Sequence, residues 1–176
     1  RQRQMCIRDR IKRLLLTLWL QTWFYFIAGI QVLIYFPFLV IILTLPKAYT
    51  KLFWIARNIW ARITLHGSGY YVSVENKEKL ESQTNCLIIA NHSSHMDVFL
   101  MLIENKKPFM FVGKKELYSI PLFGYIYKRA AIMVDRSDPI SRFEVYGKAN
   151  EMLKRGYNVC IFPESHYMDD TILLAD

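Results

Sequence analysis

The stretch Asn91-His92-Ser93-Ser94-His95-Met96-Asp97 follows directly on an apolar run at residues 86–90, CLIIA. On one continuous helix, His92 and Asp97 would lie roughly 140° apart and could not meet. Across a strand end and the first turn of the next helix they can. Asp97 then accepts a hydrogen bond from one imidazole nitrogen, which fixes the tautomer and leaves the other nitrogen as a general base. A structural alternative stands beside this one. Ser94-x-x-Asp97 has capping-box spacing, so Asp97 could serve only to cap a helix. A third reading assigns His92, His95 and Asp97 to a metal ion, although no HExxH pattern or further acid–histidine cluster completes the shell.

Two more polar clusters follow apolar runs, where α/β sheets usually place their ligands. After residues 130–134, AAIMV, comes Asp135-Arg136. An arginine leaving a buried strand can grip a phosphate with both arms of its guanidinium; the alternative is a surface ion pair with Asp135 or Asp138. After residues 159–162, VCIF, comes Pro163-Glu164, and Glu164 alone could be any loop acid. Lys114-Lys115-Glu116 lies between the first two clusters, and by itself it reads as a solvated basic turn.

The elements that must position these groups are short. Residues 70–74 alternate like a strand, and 86–90, 109–112, 130–134 and 159–162 are apolar runs suited to strands buried on both faces. Residues 95–103, 117–128 and 139–155 carry helical spacing. The last is bounded by Asp138 as a cap, Pro139 in the first turn and Gly156 at the end. Alternation of this kind predicts an α/β layer, starting after Gly67-Ser68-Gly69.

The chain has 176 residues, enough for one core but thin for two. Its three cysteines, Cys6, Cys86 and Cys160, form no metal-binding pair and read as reduced residues facing the cytosol. The net charge of +8 is uneven. Residues 1–67 hold ten Lys and Arg against one acid, Asp9, while residues 68–176 hold thirteen against fourteen. The basic third is also the most apolar, which excludes a typical nucleic-acid surface and points to a membrane.

No charge interrupts residues 14–45. As one helix they would extend about 48 Å, against a hydrocarbon core of about 30 Å. The run must therefore tilt as a single span or break near Gly29 or Pro37 into a shallow hairpin. Lys12 and Arg13 before it, and Lys47, Lys51, Arg57 and Arg62 after it, favour the hairpin with both ends in the cytosol. The run is too long for a signal peptide, and no small-residue cleavage site follows. Residues 51–65 add an amphipathic segment, with Leu52, Phe53, Ile55, Ile59, Trp60 and Ile63 at helical spacings; it suits either the lipid interface or core packing. Residues 1–10, RQRQMCIRDR, match nothing that follows and are expected to be adapter read-through or disordered. The division expected is thus 1–10, a membrane helical part at 11–67, and a catalytic part at 68–176.

Taken in order, the clusters resemble the glycerolipid acyltransferases of the lysophosphatidic acid acyltransferase family. Asn91, His92 and, after four intervening residues, Asp97 match the first block. Lys114-Lys115-Glu116-Leu117, Pro121-Leu122-Phe123-Gly124 and Val134-Asp135-Arg136 match the second. Phe162-Pro163-Glu164 opens the third. The resemblance spans about residues 50–164. It implies an α/β fold with a mixed sheet flanked by helices and tied to the membrane by N-terminal helices. It implies an O-acyltransferase that needs no cofactor beyond its acyl donor, acyl-CoA or acyl carrier protein. The acceptor would be lysophosphatidic acid and the product phosphatidic acid, made in phospholipid biosynthesis at the cytosolic face of a bacterial inner membrane. His92 would be the base and Asp97 its orienting partner. Backbone amides near residues 93–95 would steady the oxyanion, and Arg136, helped by Lys114 or Lys115, would hold the acceptor phosphate. Asn91, Ser93 and Glu164 complete the substrate-binding set.

Two departures stand out. Ser165-His166-Tyr167 follow Glu164 where the family has Gly-Thr-Arg, and Asp176 falls before the family's fourth block, as in a fragment. They motivate a rival, a non-catalytic membrane lipid-binding protein. Intact His92 and Asp97 oppose it, since a binding module needs no oriented base. A metal-dependent hydrolase and an acyltransferase for another glycerolipid are the remaining alternatives.

Overall fold

The computed structural model describes residues 2–73, 75 and 85–163. Helix α1 runs from Gln2 to Leu43 without a break, so residues 2–10 are helical and neither Gly29 nor Pro37 divides the apolar run. Pro37 lacks an N–H and would disfavour a helix interior by about 3 kcal/mol. It is tolerated because α1 is packed on both sides of it, through Val32 and through Leu39. A hairpin does form, but its turn lies at residues 44–47, where Pro46 and the left-handed Lys47 (φ 55°) stop and reverse the chain. The return arm comprises α2 (Ala48–Ile55), a π-helical segment (Ala56–Trp60) and α3 (Ala61–Gly67). Three bonds fasten it antiparallel to the second half of α1: Trp23 Nε1 to Gly67 O (3.0 Å), Trp60 Nε1 to Ala28 O (3.0 Å) and Gln31 Nε2 to Thr64 Oγ1 (3.0 Å). The stretch Lys12–Leu43 is long and apolar enough to cross a membrane. Leu14, Trp19, Leu33, Phe38 and Ile41 on it are all more than half exposed, as a lipid-facing surface requires.

The expected strand at 70–74 does not form over its described residues. Gly69, with φ +84°, turns the chain instead, and Tyr70 N bonds back to Leu65 O at 2.9 Å, finishing α3. Four strands follow among the described residues: β1 (Leu87–Ile89), β2 (Phe109–Lys114), β3 (Ala131–Val134) and β4 (Asn158–Ile161). They lie in the order β1-β4-β2-β3. The expected mixed sheet is parallel throughout among the described residues. The connections are crossovers through helices α4 (Met96–Glu104), α5 (Phe123–Ala130) and α6 (Pro139–Lys154), which return the chain to the same end. The helix expected over 117–128 is divided. A 3-10 turn (Lys115–Ser119) ends before Pro121, Leu122 takes φ 62°, and α5 restarts at Phe123.

One core joins the helical arm to the sheet. Phe24 and Ala28 of α1, Phe53, Ala61 and Leu65 of the return arm, Phe99 and Leu102 of α4, and Phe109 and Cys160 of the strands are all buried in it. Ile132, Val134, Val145 and Val159 fill the other face under α6. As the sequence predicts, Asp138 caps α6, its Oδ1 accepting from Ile140 N at 3.0 Å, with Pro139 at the first helical position. Asp138→Ala should remove about 1 kcal/mol of stability. Thermal unfolding in detergent should read this as a midpoint lower by about 2–4 °C; an unchanged midpoint would mean the cap is idle.

Candidate active site

The described candidate groups lie at or just beyond the C-terminal ends of the parallel strands. β1 is short because Asn91 begins a loop that must turn into α4 within five residues. Asp97, in the first turn of α4, closes that loop. Its Oδ2 accepts from Ser93 N (2.7 Å) and Ser94 N (2.8 Å), and it lies 3.1 Å from His92 Nδ1. Ser94 Oγ accepts from Met96 N at 3.3 Å. The capping arrangement and the His–Asp pair are therefore the same device, with one carboxylate oxygen shaping the loop and holding the ring. Nδ1, facing a carboxylate, carries the proton in the neutral imidazole. The amides of Ser93 and Ser94, expected to face an oxyanion, are engaged by Asp97 instead, because the loop's tight turn aims both at the carboxylate.

The ring is also held by stacking. Phe162, just past β4, lies 4.4 Å from the His92 centroid at an interplanar angle of 20°, and Phe111 of β2 continues the stack 5.8 Å from Phe162. Both side chains of the pair are mostly buried, 16% exposed for His92 and 17% for Asp97. Phe111 and Val98 also border an apolar cavity of about 140 Å³ between α1, the return arm, α4 and α5. The aromatic stack thus runs from His92 through Phe162 to Phe111, which borders the cavity. His95 turns its ring edge-on to Tyr25 at 5.6 Å. Burial chiefly, then His92 and Lys114, lower its pKa against the opposing pull of Asp97. Among the described residues, no three His, Cys, Asp or Glu side chains gather to hold a metal ion.

Lys114 ends β2 in register with Val134 of β3, so Arg136, two residues on and partly buried, leaves the sheet beside it. Tyr127 donates to Lys114 O at 3.1 Å. Burial chiefly pushes its hydroxyl up to about 12, with the Arg136 charge pulling the other way. The acids next to Arg136 in sequence are otherwise engaged. Asp135 binds the Ser137 hydroxyl (2.6 Å) and lies 3.7 Å from Lys115 Nζ, and these hydrogen bonds chiefly hold its carboxyl below the usual range. Asp138 is the α6 cap. The structure therefore joins His92, Asp97 and Ser93 in one cluster, places Lys114 at the C-terminal end of β2, and turns Lys115 towards Asp135. Asn91 is an exposed loop residue, and Glu164 lies outside the described residues. The sequence reading missed the stacking role of Phe162 and Phe111. Only the adjacency of β4 to β1 and β2 could have revealed it, and strand order is not written locally.

An imidazole held by a carboxylate at the strand ends of an α/β sheet, linked through the Phe162–Phe111 stack to an apolar cavity, is the arrangement that known proteins can be set against. The family model described as Acyltransferase matches residues 71–174, and the chain belongs to that family. It is 30% identical over 109 residues to the chloroplastic 1-acyl-sn-glycerol-3-phosphate acyltransferase LPAT1 of Arabidopsis thaliana, covering 61% of this chain and 30% of that protein. Over 101 residues it is 31% identical to the 1-acyl-sn-glycerol-3-phosphate acyltransferase of Escherichia coli K12, covering 54% of this chain and 40% of that protein. The crystal structure of the 1-acyl-sn-glycerophosphate acyltransferase PlsC from Thermotoga maritima superposes with a TM-score of 0.72 at 25% identity, over 90% of this chain and 64% of that one. The chain thus spans less than half the length of these two curated relatives.

Proposed function

We propose that this chain carries the acyl-transfer site of a membrane-bound enzyme that moves a fatty acyl group from acyl-CoA or acyl carrier protein to the free hydroxyl of lysophosphatidic acid, giving phosphatidic acid. The observation behind this reading is the 3.1 Å approach of His92 Nδ1 to Asp97 beside the apolar cavity. His92 Nε2 takes the acceptor's hydroxyl proton as its oxygen attacks the thioester carbonyl. The C–S bond then breaks, and the proton passes from the imidazolium to the departing thiolate. Asp97 stabilises the imidazolium in between. No covalent enzyme intermediate is involved, so neither a serine nor a cysteine nucleophile is required. Arg136, with Lys114 or Lys115, binds the acceptor phosphate, and Asn91, Ser93 and Glu164 border the acceptor. Residues 68–176 form the acyltransferase part and 11–67 its membrane part. The positive charge flanking the apolar run supports attachment to a membrane, and we place the active site on the cytosolic face of a bacterial inner membrane. Drawing the acceptor from the bilayer avoids moving its chain into water, which would cost about 0.8 kcal/mol per CH₂.

The test is radiolabelled acyl transfer by the full-length protein to lysophosphatidic acid, glycerol 3-phosphate and lysophosphatidylcholine, with each donor carrier in turn. Lysophosphatidic acid should be the best acceptor, and failure to acylate any of the three would overturn the reading. Charge-assisted Arg–phosphate hydrogen bonds contribute roughly 1.5–3 kcal/mol. Arg136→Ala should therefore lower kcat/KM for lysophosphatidic acid by about one to two powers of ten. Arg136→Lys should recover only part of it, since a point charge lacks the planar fork. Unchanged kinetics for Arg136→Ala would transfer the phosphate role to Lys114 or Lys115.

A further inference from the structure

The 3-10 turn and α5 hold their apolar side chains on the outside of the molecule. Leu117, Tyr118, Ile120, Leu122 and Tyr125 are all exposed. Leu122 is presented at φ 62°, a conformation that a leucine seldom takes. Two cations share this surface. Lys128 Nζ lies 5.6 Å from the Tyr118 ring centroid and 5.8 Å from that of Tyr125. The Arg129 guanidinium lies 3.9 Å from the Tyr125 centroid, and its Nη1 donates to Tyr125 O at 2.8 Å. Over residues 114–130 the sole acid is Glu116, against Lys114, Lys115, Lys128 and Arg129. The patch is continuous with α1: Tyr125 meets Phe36 edge-on at 6.0 Å, and Leu33, one turn before Phe36, belongs to the exposed apolar side of that helix. Phe143 and Tyr146 of α6 are exposed too, but they differ on both counts. α6 covers the other face of the sheet, and its outer side carries Glu144 and Glu151, paired with Lys148 and Arg155.

Tyrosines and aliphatic side chains interleaved with cations suit the headgroup layer of an anionic bilayer. The apolar tips enter the acyl boundary, the tyrosine rings sit at headgroup level, and the cations meet lipid phosphates. We infer that this surface is a second membrane contact, which docks the catalytic part on an anionic phospholipid bilayer beside α1. The inference rests on the membrane-bound acyl-transfer reading above and adds to it. The helical hairpin attaches the chain, while the patch fixes how the strand ends face the lipid, because the 3-10 turn follows directly on Lys114 at the end of β2. An acidic protein would be drawn by the same cations, but it would have no use for the apolar tip at Leu122 or for the continuity with α1.

The test uses full-length protein in vesicles of phosphatidylcholine, alone or mixed with phosphatidylglycerol. A bimane label on Leu122→Cys reports its approach to lipids that carry a nitroxide near the headgroup. Cys6→Ser and Cys86→Ser clear the background. Cys160 stays, since burial pushes its thiol up to about 12 and leaves it inert to the label. Leu33→Cys is the positive control and Phe143→Cys, 77% exposed in the native protein, the negative one. Leu122 should be quenched strongly in mixed vesicles and more weakly without phosphatidylglycerol, and Phe143 in neither. One cation near an anionic surface is worth about fivefold. Lys128→Gln with Arg129→Gln should therefore lower the docked-to-undocked ratio in mixed vesicles by about thirtyfold, with transfer in detergent unchanged. Should that pair misfold, salt decides in its place, because screening must release Leu122 in the same direction. Quenching of Leu122 no greater than that of Phe143, or indifferent to phosphatidylglycerol and salt, would overturn the inference. So would an unquenched Leu122 in a protein whose Lys128/Arg129 variant loses transfer only with acyl carrier protein as donor, which would assign the cations to an acidic protein. Leu33 quenched, transfer normal and Leu122 unquenched would sink this inference and leave the acyl-transfer reading standing. Leu122 quenched in a protein that transfers nothing would do the reverse.

Discussion

His92→Ala is expected to lower acyl transfer by about two to four powers of ten, the usual contribution of a positioned general base. Without an imidazole, the acceptor hydroxyl, whose pKa is far above neutral, must attack while still protonated. The fold should survive, because Asp97 keeps its bonds to the Ser93 and Ser94 amides when the ring is gone. Asp97→Asn tests the other half of the pair. Its carboxamide oxygen can still accept from the two amides, so the loop should persist, but it offers the imidazolium a neutral partner. Its loss should appear in kcat more than in KM. Initial rates, circular dichroism and membrane sedimentation on the same preparations separate lost chemistry from lost folding. A His92→Ala protein that kept a tenth of the native rate would remove His92 from the base's role.

The second large effect concerns stability. A Cβ on Gly124 would lie 1.9 Å from Tyr118 O and 2.7 Å from Tyr118 C. These are backbone atoms at the end of the 3-10 turn, and they cannot swing aside as a side chain can. Gly124→Ala must push α5 away from that turn, and Phe123 and Ile126 of α5 are part of the cavity wall. A loss of about 3 kcal/mol, at the upper end for overpacking, is expected, with acyl transfer falling alongside. Gly147 offers a control within a helix of the same protein, since nothing lies within 4 Å of its added Cβ. Gly147→Ala should raise stability by about 0.5–1 kcal/mol, the helix-interior difference between the two residues. Thermal midpoints for both variants check the pair, and a Gly124→Ala protein as stable as the native one would show that the 3-10 turn yields.

What could be read from residue order was local. Asp138, Pro139 and Gly156 bound α6 because caps act over one or two residues. His92 and Asp97 could be paired because strand-end and helix-start geometry is generic. Long-range facts were not accessible in this way. The Phe162 ring lies on His92 only because β4 sits beside β1, an adjacency between residues about 70 positions apart. The Ser93 and Ser94 amides looked available until Asp97 was seen to take both. The hairpin was expected at Gly29 or Pro37 because those are local helix breakers. Tertiary packing overrode them and left the turn to Pro46 and Lys47.

The π-helical segment at Ala56–Trp60 has a geometric consequence for the return arm. An α-helix advances about 100° per residue, and one π turn holds the chain back by about one such step. Wound as an uninterrupted α-helix, the buried residues Leu52, Phe53, Ala61, Thr64 and Leu65 would be spread around about 220° of the circumference. With the π turn they collect within about 120°, a stripe narrow enough to meet α1 and α4 together. The same lag explains Ile63, which continues the apolar spacing of the sequence yet is 46% exposed. The π segment thus acts as a phase shifter: wound as plain α-helix with every residue kept, it would rotate α3 by about 100°, carrying Thr64 away from Gln31 and Leu65 out of the core, whereas deleting one residue from it would leave α3 in phase.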